Sequence, residues 1–253
     1  MRNVFSDLVV GAQPSLLPVA ATPVYGSRVL SRYQPLQQGA IPMVLAVALV
    51  TLPVFVQAPW VHAHPVGATA ATIPLLSAGI LIGLSDDPRR QQLGALLVGF
   101  AGSWLGGSLF WGWCRLHPLW HLPLEGIALP LALAGLGSRW RAAGAFYLAS
   151  LLGTAATDAA MALTGVMSQW PTILSSQGAE SLILLKAAAT MVLQPANLLV
   201  VGGMALALIG LGRWLWNRGG IARISSATLL STLVVDALFL LLALAAPGLS
   251  GVV

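Results

Sequence analysis

The sequence predicts an all-α polytopic transmembrane helix bundle of about seven spans, with one more helix at the interface or re-entering the membrane. Three observations predict it. Only 8% of the 253 residues are charged and 57% are hydrophobic, giving a mean hydropathy of +0.86, whereas an ordinary soluble domain is about 25% charged. The apolar residues fall in blocks of membrane-crossing length, about 20 residues for about 30 Å of hydrocarbon. The basic residues concentrate in alternate connections between those blocks. Twelve basic and seven acidic residues cannot give a chain of this size a solvated surface, which excludes a soluble enzyme, a nucleic-acid-binding module and a disordered chain. The net charge of +5 would otherwise suggest nucleic acid, but the arginines are scattered between apolar blocks. Cys114 stands alone, so neither an intrachain disulfide nor a Cys-rich zinc module is expected.

Residues 1–38 carry Pro14, Pro18, Pro23 and Pro35 with Arg2, Arg28 and Arg32, and read as an irregular N-terminal tail. Asp7 close behind Arg2 and the short apolar stretch Leu8–Val10 do not make a cleaved signal peptide. The transmembrane domain, 39–253, then holds apolar blocks at about 40–59, 67–84, 93–114, 119–137, 143–165, 195–212 and 226–246. The separators carry charge and turn residues, as in Ser85-Asp86-Asp87-Pro88-Arg89-Arg90 and Gly137-Ser138-Arg139. The fourth block begins near Pro118 and contains Pro123 and Pro130, so a kink is expected there. The stretch from Ala179 to Trp216 is too long for one helix and is interrupted at Gln194-Pro195-Ala196-Asn197. Because proline favours a first helical turn, the sixth span starts near Pro195. Residues 179–193, with Glu180 and Lys186, form the interfacial or re-entrant helix. A count of six spans is the alternative.

With seven spans, ten basic residues fall on one side: Arg2, Arg28, Arg32, Arg89, Arg90, Arg139, Arg141, Arg213, Arg218 and Arg223. Only Arg115 and Lys186 fall on the other. The positive-inside rule therefore predicts a cytoplasmic N-terminus and a lumenal or periplasmic C-terminus.

All four histidines then lie on the non-cytoplasmic side: His62 and His64 after the first span, His117 and His121 entering the fourth. The spacing of His117, His121 and Glu125 predicts one helical face. Glu125 would lie about 10 Å below the outer surface, at 1.5 Å per residue from Pro118, with Asp158 at similar depth and Asp236 near mid-bilayer. Carboxylates at such depths face protein or water and mark function, and Arg115 and Lys186 are the counter-ions available on that side. Four readings stay open for Glu125, Asp158 and Asp236. They are hydrogen-bonded acids that fix helix packing, a proton or cation path, a divalent-metal site of His121 and Glu125 with His117, His62, His64 or Asp158 contributing, or neighbours of a histidine that ligates chlorophyll or haem.

Interfacial anchoring explains most of Trp60, Trp104, Trp111, Trp113 and Trp120. Gly102, Gly106, Gly107 and Gly112 suit close helix contact in lipid. No Gly-x-Ser-x-Gly elbow or HExxH signature is present.

The run Trp111-Gly112-Trp113-Cys114-Arg115-Leu116-His117-Pro118-Leu119-Trp120-His121-Leu122-Pro123-Leu124-Glu125 resembles the central signature of a cyanobacterial integral membrane protein family of unknown function. Gly153-Thr154, Thr157-Asp158 and the segment Pro53 to Trp60 are similar to its other recurrent stretches, so the resemblance covers about residues 40–215. It implies a polytopic protein of the thylakoid or plasma membrane and carries over Arg115, His121, Glu125 and Asp158 without roles. It also suggests an auxiliary place beside photosystem or assembly-intermediate subunits. The reading that follows is a non-enzymatic protein that binds pigment or a partner through its outer-half polar cluster. A small proton- or cation-coupled transporter is the second reading and a metal-dependent membrane enzyme the third; the bilayer is the surrounding partner, and nucleic acid is not one.

Overall fold

The computed structural model describes residues 40–249, and the expected N-terminal tail lies outside them. The described residues are helical throughout, with no strand. Six helices are long and apolar enough to cross a membrane: α1 (Ile41–Ala63), α2 (Pro65–Gly83), α3 (Pro88–Cys114), α6 (Arg141–Leu163), α9 (Pro195–Arg218) and α10 (Ala222–Ala245). Prolines set several of their starts. His64 leaves the helical region (φ −144°, ψ 71°) ahead of Pro65, in line with the bias of a residue before proline away from the helical conformation. Asp87 caps α3 by accepting from Arg89 N–H at 3.0 Å, and Pro88 occupies the first turn, where a missing N–H leaves nothing unpaired.

Two of the long helices widen into π turns, at Pro53–Gln57 in α1 and Phe110–Cys114 in α3. In α1 the cause is local. A proline ring clashes with the carbonyl four residues earlier, and Pro59 would press on that of Phe55; the Ala58 N–H instead reaches back to the Pro53 carbonyl.

The fourth apolar block is not a continuous helix. It consists of a 3₁₀ turn (Pro118–Trp120), α4 (His121–Glu125) and α5 (Leu129–Gly135). Pro123, Gly126 and Pro130 prevent one long helix. This corrects the expectation that His117, His121 and Glu125 share a helical face, because His117 precedes the 3₁₀ turn with non-helical φ −120° and ψ 78°. The broken segment runs back beside α3. A Cβ on Gly106 would lie 2.7 Å from Glu125 Cα, and one on Gly102 would lie 3.2 Å from the Ala128 side chain. Its far end returns to the start of α3, where the Arg139 guanidinium donates to the Gly83 carbonyl at 2.5 Å.

Two further helices, α7 (Val166–Ser175) and α8 (Ala179–Val192), follow α6. The first was not expected: Pro171 sits inside it, and Ser168 and Gln169 dilute its hydropathy. The second coincides with the expected interfacial or re-entrant stretch.

Helices α1, α3, α6 and α10 form the kernel. At one end they close on a solid core of Leu49, Leu96, Phe100, Trp104, Phe146 and Ile224. Trp104, expected as an interfacial anchor, belongs to this core; it is 5% exposed and donates its indole N–H to the Ala68 carbonyl at 2.8 Å. The contacts at this end gather the connections that carry Arg89, Arg90, Arg139, Arg141, Arg213, Arg218 and Arg223. At the other end a second cluster, including Val166, Ile173, Leu185 and Ala243, joins α7 and α8 to α10. Between the two clusters the kernel is hollow.

Candidate functional site

Helix α4 is one turn and a half long and carries His121 and Glu125 four residues apart, hence on one face. Tyr147 of α6 makes this break in the chain tenable. Its hydroxyl donates to the Glu125 carbonyl and accepts from Ala128 N–H, so two backbone groups freed by the break find a partner inside the protein. Non-helical backbone at membrane depth requires that.

His121 stands between two carboxylates. Its Nδ1 lies 2.8 Å from Asp158 Oδ1 and its Nε2 lies 3.5 Å from Glu125 Oε1. The three side chains are 14–20% exposed. An imidazole donates from both nitrogens only when doubly protonated, so this geometry either holds an imidazolium or places a proton on one of the acids. The ring rests on Phe110, with centroids 4.3 Å apart. Glu125 Oε2 accepts from the Thr154 hydroxyl at 2.9 Å.

The cluster continues along α6. Thr157, next to Asp158, lies 2.6 Å from Asp236 Oδ2 and 3.1 Å from the Gly153 carbonyl. A hydroxyl has one proton to give. Thr157 either donates to an ionised Asp236, or donates to Gly153 while accepting from a protonated Asp236. Glu125, His121, Asp158, Thr157 and Asp236 thus form one polar line across α4, α6 and α10.

Arg115 is not the counter-ion of this cluster: its guanidinium lies 2.7 Å from His62 Nδ1. Lys186 is exposed on α8. His62, His64 and His117 are exposed as well, the first two at the junction of α1 and α2. Among the described residues no group of three or more His, Cys, Asp or Glu is placed to hold a metal ion. The reason at His121 is that its two carboxylates sit on opposite ring nitrogens and do not converge on a point. An axial ligand to chlorophyll or haem needs one open nitrogen, and both of His121 face carboxylates.

The polar line forms part of the wall of a cavity of about 430 Å³ between the kernel and helices α7, α8 and α9. The rest of the wall is mainly apolar and includes Val50, Phe110, Trp111, Met161, Trp170, Met204, Leu208 and Phe239. Gln57, in the π turn of α1, reaches the same space. It is 3% exposed and donates from Nε2 to the Trp104 carbonyl at 2.6 Å and to Ser108 Oγ at 2.7 Å. Thr154, Thr157, Tyr147 and Gln57 carry no role in the sequence reading. The signal for the first two is their spacing: Ser150, Thr154, Thr157 and Met161 recur every three or four residues on α6, with Asp158 beside Thr157, and all line the cavity.

Residues 46–244 match the family described as Protein of unknown function (DUF3120). The chain belongs to that family. The match includes α10, which the sequence resemblance had left outside. No curated protein and no solved structure matches the chain. What is established is therefore an all-helical protein of this family with helices of membrane-crossing type.

Proposed function

We propose that this protein is a non-enzymatic, seven-crossing membrane protein that holds a lipid-soluble ligand in the kernel cavity, against the polar line of Glu125, His121, Asp158 and Asp236. The observation that carries the reading is the cavity itself. Its volume, about 430 Å³, falls in the range of about 300–1,000 Å³ usual for small-molecule sites. It combines a mainly apolar lining with a few convergent polar groups, as such sites do. The seventh crossing is supported by the return of residues 118–137 along α3. The basic connections gathered at one end of the bundle support a cytoplasmic N-terminus and a lumenal or periplasmic C-terminus. The setting we propose, a cyanobacterial thylakoid or plasma membrane with photosystem or assembly-intermediate subunits as partners, rests on the sequence resemblance.

The test is purification in a mild maltoside detergent, solvent extraction, and an absorption spectrum with mass spectrometry of the extract. One lipid-soluble molecule per chain is the expected result, together with its loss from Met204→Trp, which fills the cavity from α9. Equal recovery from both proteins would overturn the reading. The second reading is a proton- or cation-coupled transporter, favoured by the three carboxyl groups Glu125, Asp158 and Asp236 on one cavity wall. It predicts dissipation of a pH gradient by reconstituted liposomes, abolished by Asp236→Asn.

A further inference from the structure

We infer that the kernel cavity selects amphiphiles with a positively charged, hydrogen-bond-donating head group of the alkylammonium type. This rests on the proposed reading that the cavity holds a ligand, and adds what that ligand must be.

The carboxyl groups on the wall are acceptors, and the donors that face them are already spent. Both nitrogens of His121 are committed to carboxylates, and the Thr154 hydroxyl to Glu125. Asp236 and Asp158 each retain an oxygen with no donor from the protein among the described residues. Among the described residues no lysine or arginine lines the cavity. Three carboxyl groups against one imidazole leave a site poor in positive charge, and a buried charge persists only when paired. A carboxylate or phosphate head would meet three carboxyl groups with only the His121 imidazole, already shared between two of them, to offset the charge. An ammonium head supplies both the charge and the donors that the wall lacks.

Gln57 points the same way independently of the acids. Its amide nitrogen is fixed by Trp104 and Ser108, neither of which belongs to the acidic line. Among the described residues its carbonyl oxygen has no donor, although the side chain is 3% exposed and lines the cavity. It is a second acceptor, on a different helix, left for a ligand. Both π turns of the fold also border the space, through Pro53, Gln57, Phe110 and Trp111, and such distortions are frequent at functional sites. The apolar remainder of the wall takes the chain. Entry from lipid is served by α9, on which only Gly212 is buried.

The experiment compares decylammonium, decanol and decanoate on the purified full chain in a non-ionic maltoside, read by thermal stabilisation and native mass spectrometry. Decylammonium should bind at least about tenfold tighter than either of the others, a ratio well outside measurement error. Glu125→Gln combined with Asp236→Asn should remove that preference, and an unchanged size-exclusion profile of the purified variant shows that it is folded. Decanol or decanoate binding as tightly as decylammonium to the wild-type protein would overturn the head-group inference and leave the cavity reading standing. So would a preference for decylammonium that survives in the double variant. Failure of all three probes, with Met204→Trp indistinguishable from wild type, would overturn both.

Discussion

Both ring nitrogens of His121 face carboxylate oxygens, so deleting the imidazole leaves Glu125 and Asp158, each more than four-fifths buried, without a cation between them. Removing one partner of a buried pair costs about 3–5 kcal/mol. Glu125→Gln is a milder change, because the amide keeps the shape and can still accept from Thr154; the loss should be about 1 kcal/mol, that of a net hydrogen bond. We therefore expect His121→Ala to lower the melting temperature in detergent much further than Glu125→Gln, with both losing retained ligand alike. Wild-type ligand occupancy in Glu125→Gln would make ionisation irrelevant and reduce the cluster to helix packing. Tyr147→Phe isolates another contribution: it strands the Glu125 carbonyl and Ala128 N–H and should cost about 1–3 kcal/mol, visible as a lower melting temperature with the acids intact. At this scale the pairing of His121 with Glu125 is legible from their spacing of four. The approach of Asp158 is not, because it depends on how α6 is rotated against α4, and a single sequence does not encode that rotation visibly. Arg115 looked like the counter-ion on charge alone, yet it lies beyond the last turns of α3 and meets His62 instead.

Hydropathy locates the long helices within six residues of their observed ends, the largest misses falling where a helix runs on into an arginine-bearing connection. The elements it handles poorly are those where proline and glycine decide. Pro123, Gly126 and Pro130 turn the fourth block into three short pieces, and Pro171 with its polar neighbours conceals α7. The glycines of α3 were legible as contact residues, and Gly106 shows why they matter: the backbone of α4 occupies the space where its side chain would be, 2.7 Å from Glu125 Cα. Backbone cannot move aside as a flexible side chain can. Gly106→Val should therefore push α4 off α3 and sharply reduce accumulation in the membrane. Gly202 on α9 has no atom within 4 Å of its would-be Cβ, so Gly202→Val should accumulate as wild type. Fluorescence-detected size exclusion of tagged variants makes the comparison, and equal yields from the two would mean that α4 does not depend on this close approach.

Across the whole molecule, one end is a filled core and the middle is hollow, a distinction that composition does not carry: Leu, Ala and Phe line both regions. Charge, by contrast, acts at this scale and is readable from the chain. The arginines of three separate connections meet at one end because α2, α3, α6 and α10 all begin or finish there, as the Arg139 bond to the Gly83 carbonyl and the shared core around Ile224 require. Helix α10 starts at that end and runs away from it for 24 residues, a length of about 36 Å at 1.5 Å per residue, enough to cross about 30 Å of hydrocarbon. Ser138 and the C-terminus should then lie on opposite faces of the membrane. The positive-inside rule assigns the cytoplasmic face to Ser138. Reporter domains active on only one side, fused after Ser138 and after Val253, should read cytoplasm and exterior respectively. Reporters on the same side would mean that α7 and α8 together add a crossing or that one of α6, α9 and α10 does not cross, and the seven-crossing topology would fall. Moving both reporters to the opposite faces would leave the crossings intact but overturn the orientation, and with it the assignment of the carboxylate-lined half of the cavity to the outer leaflet.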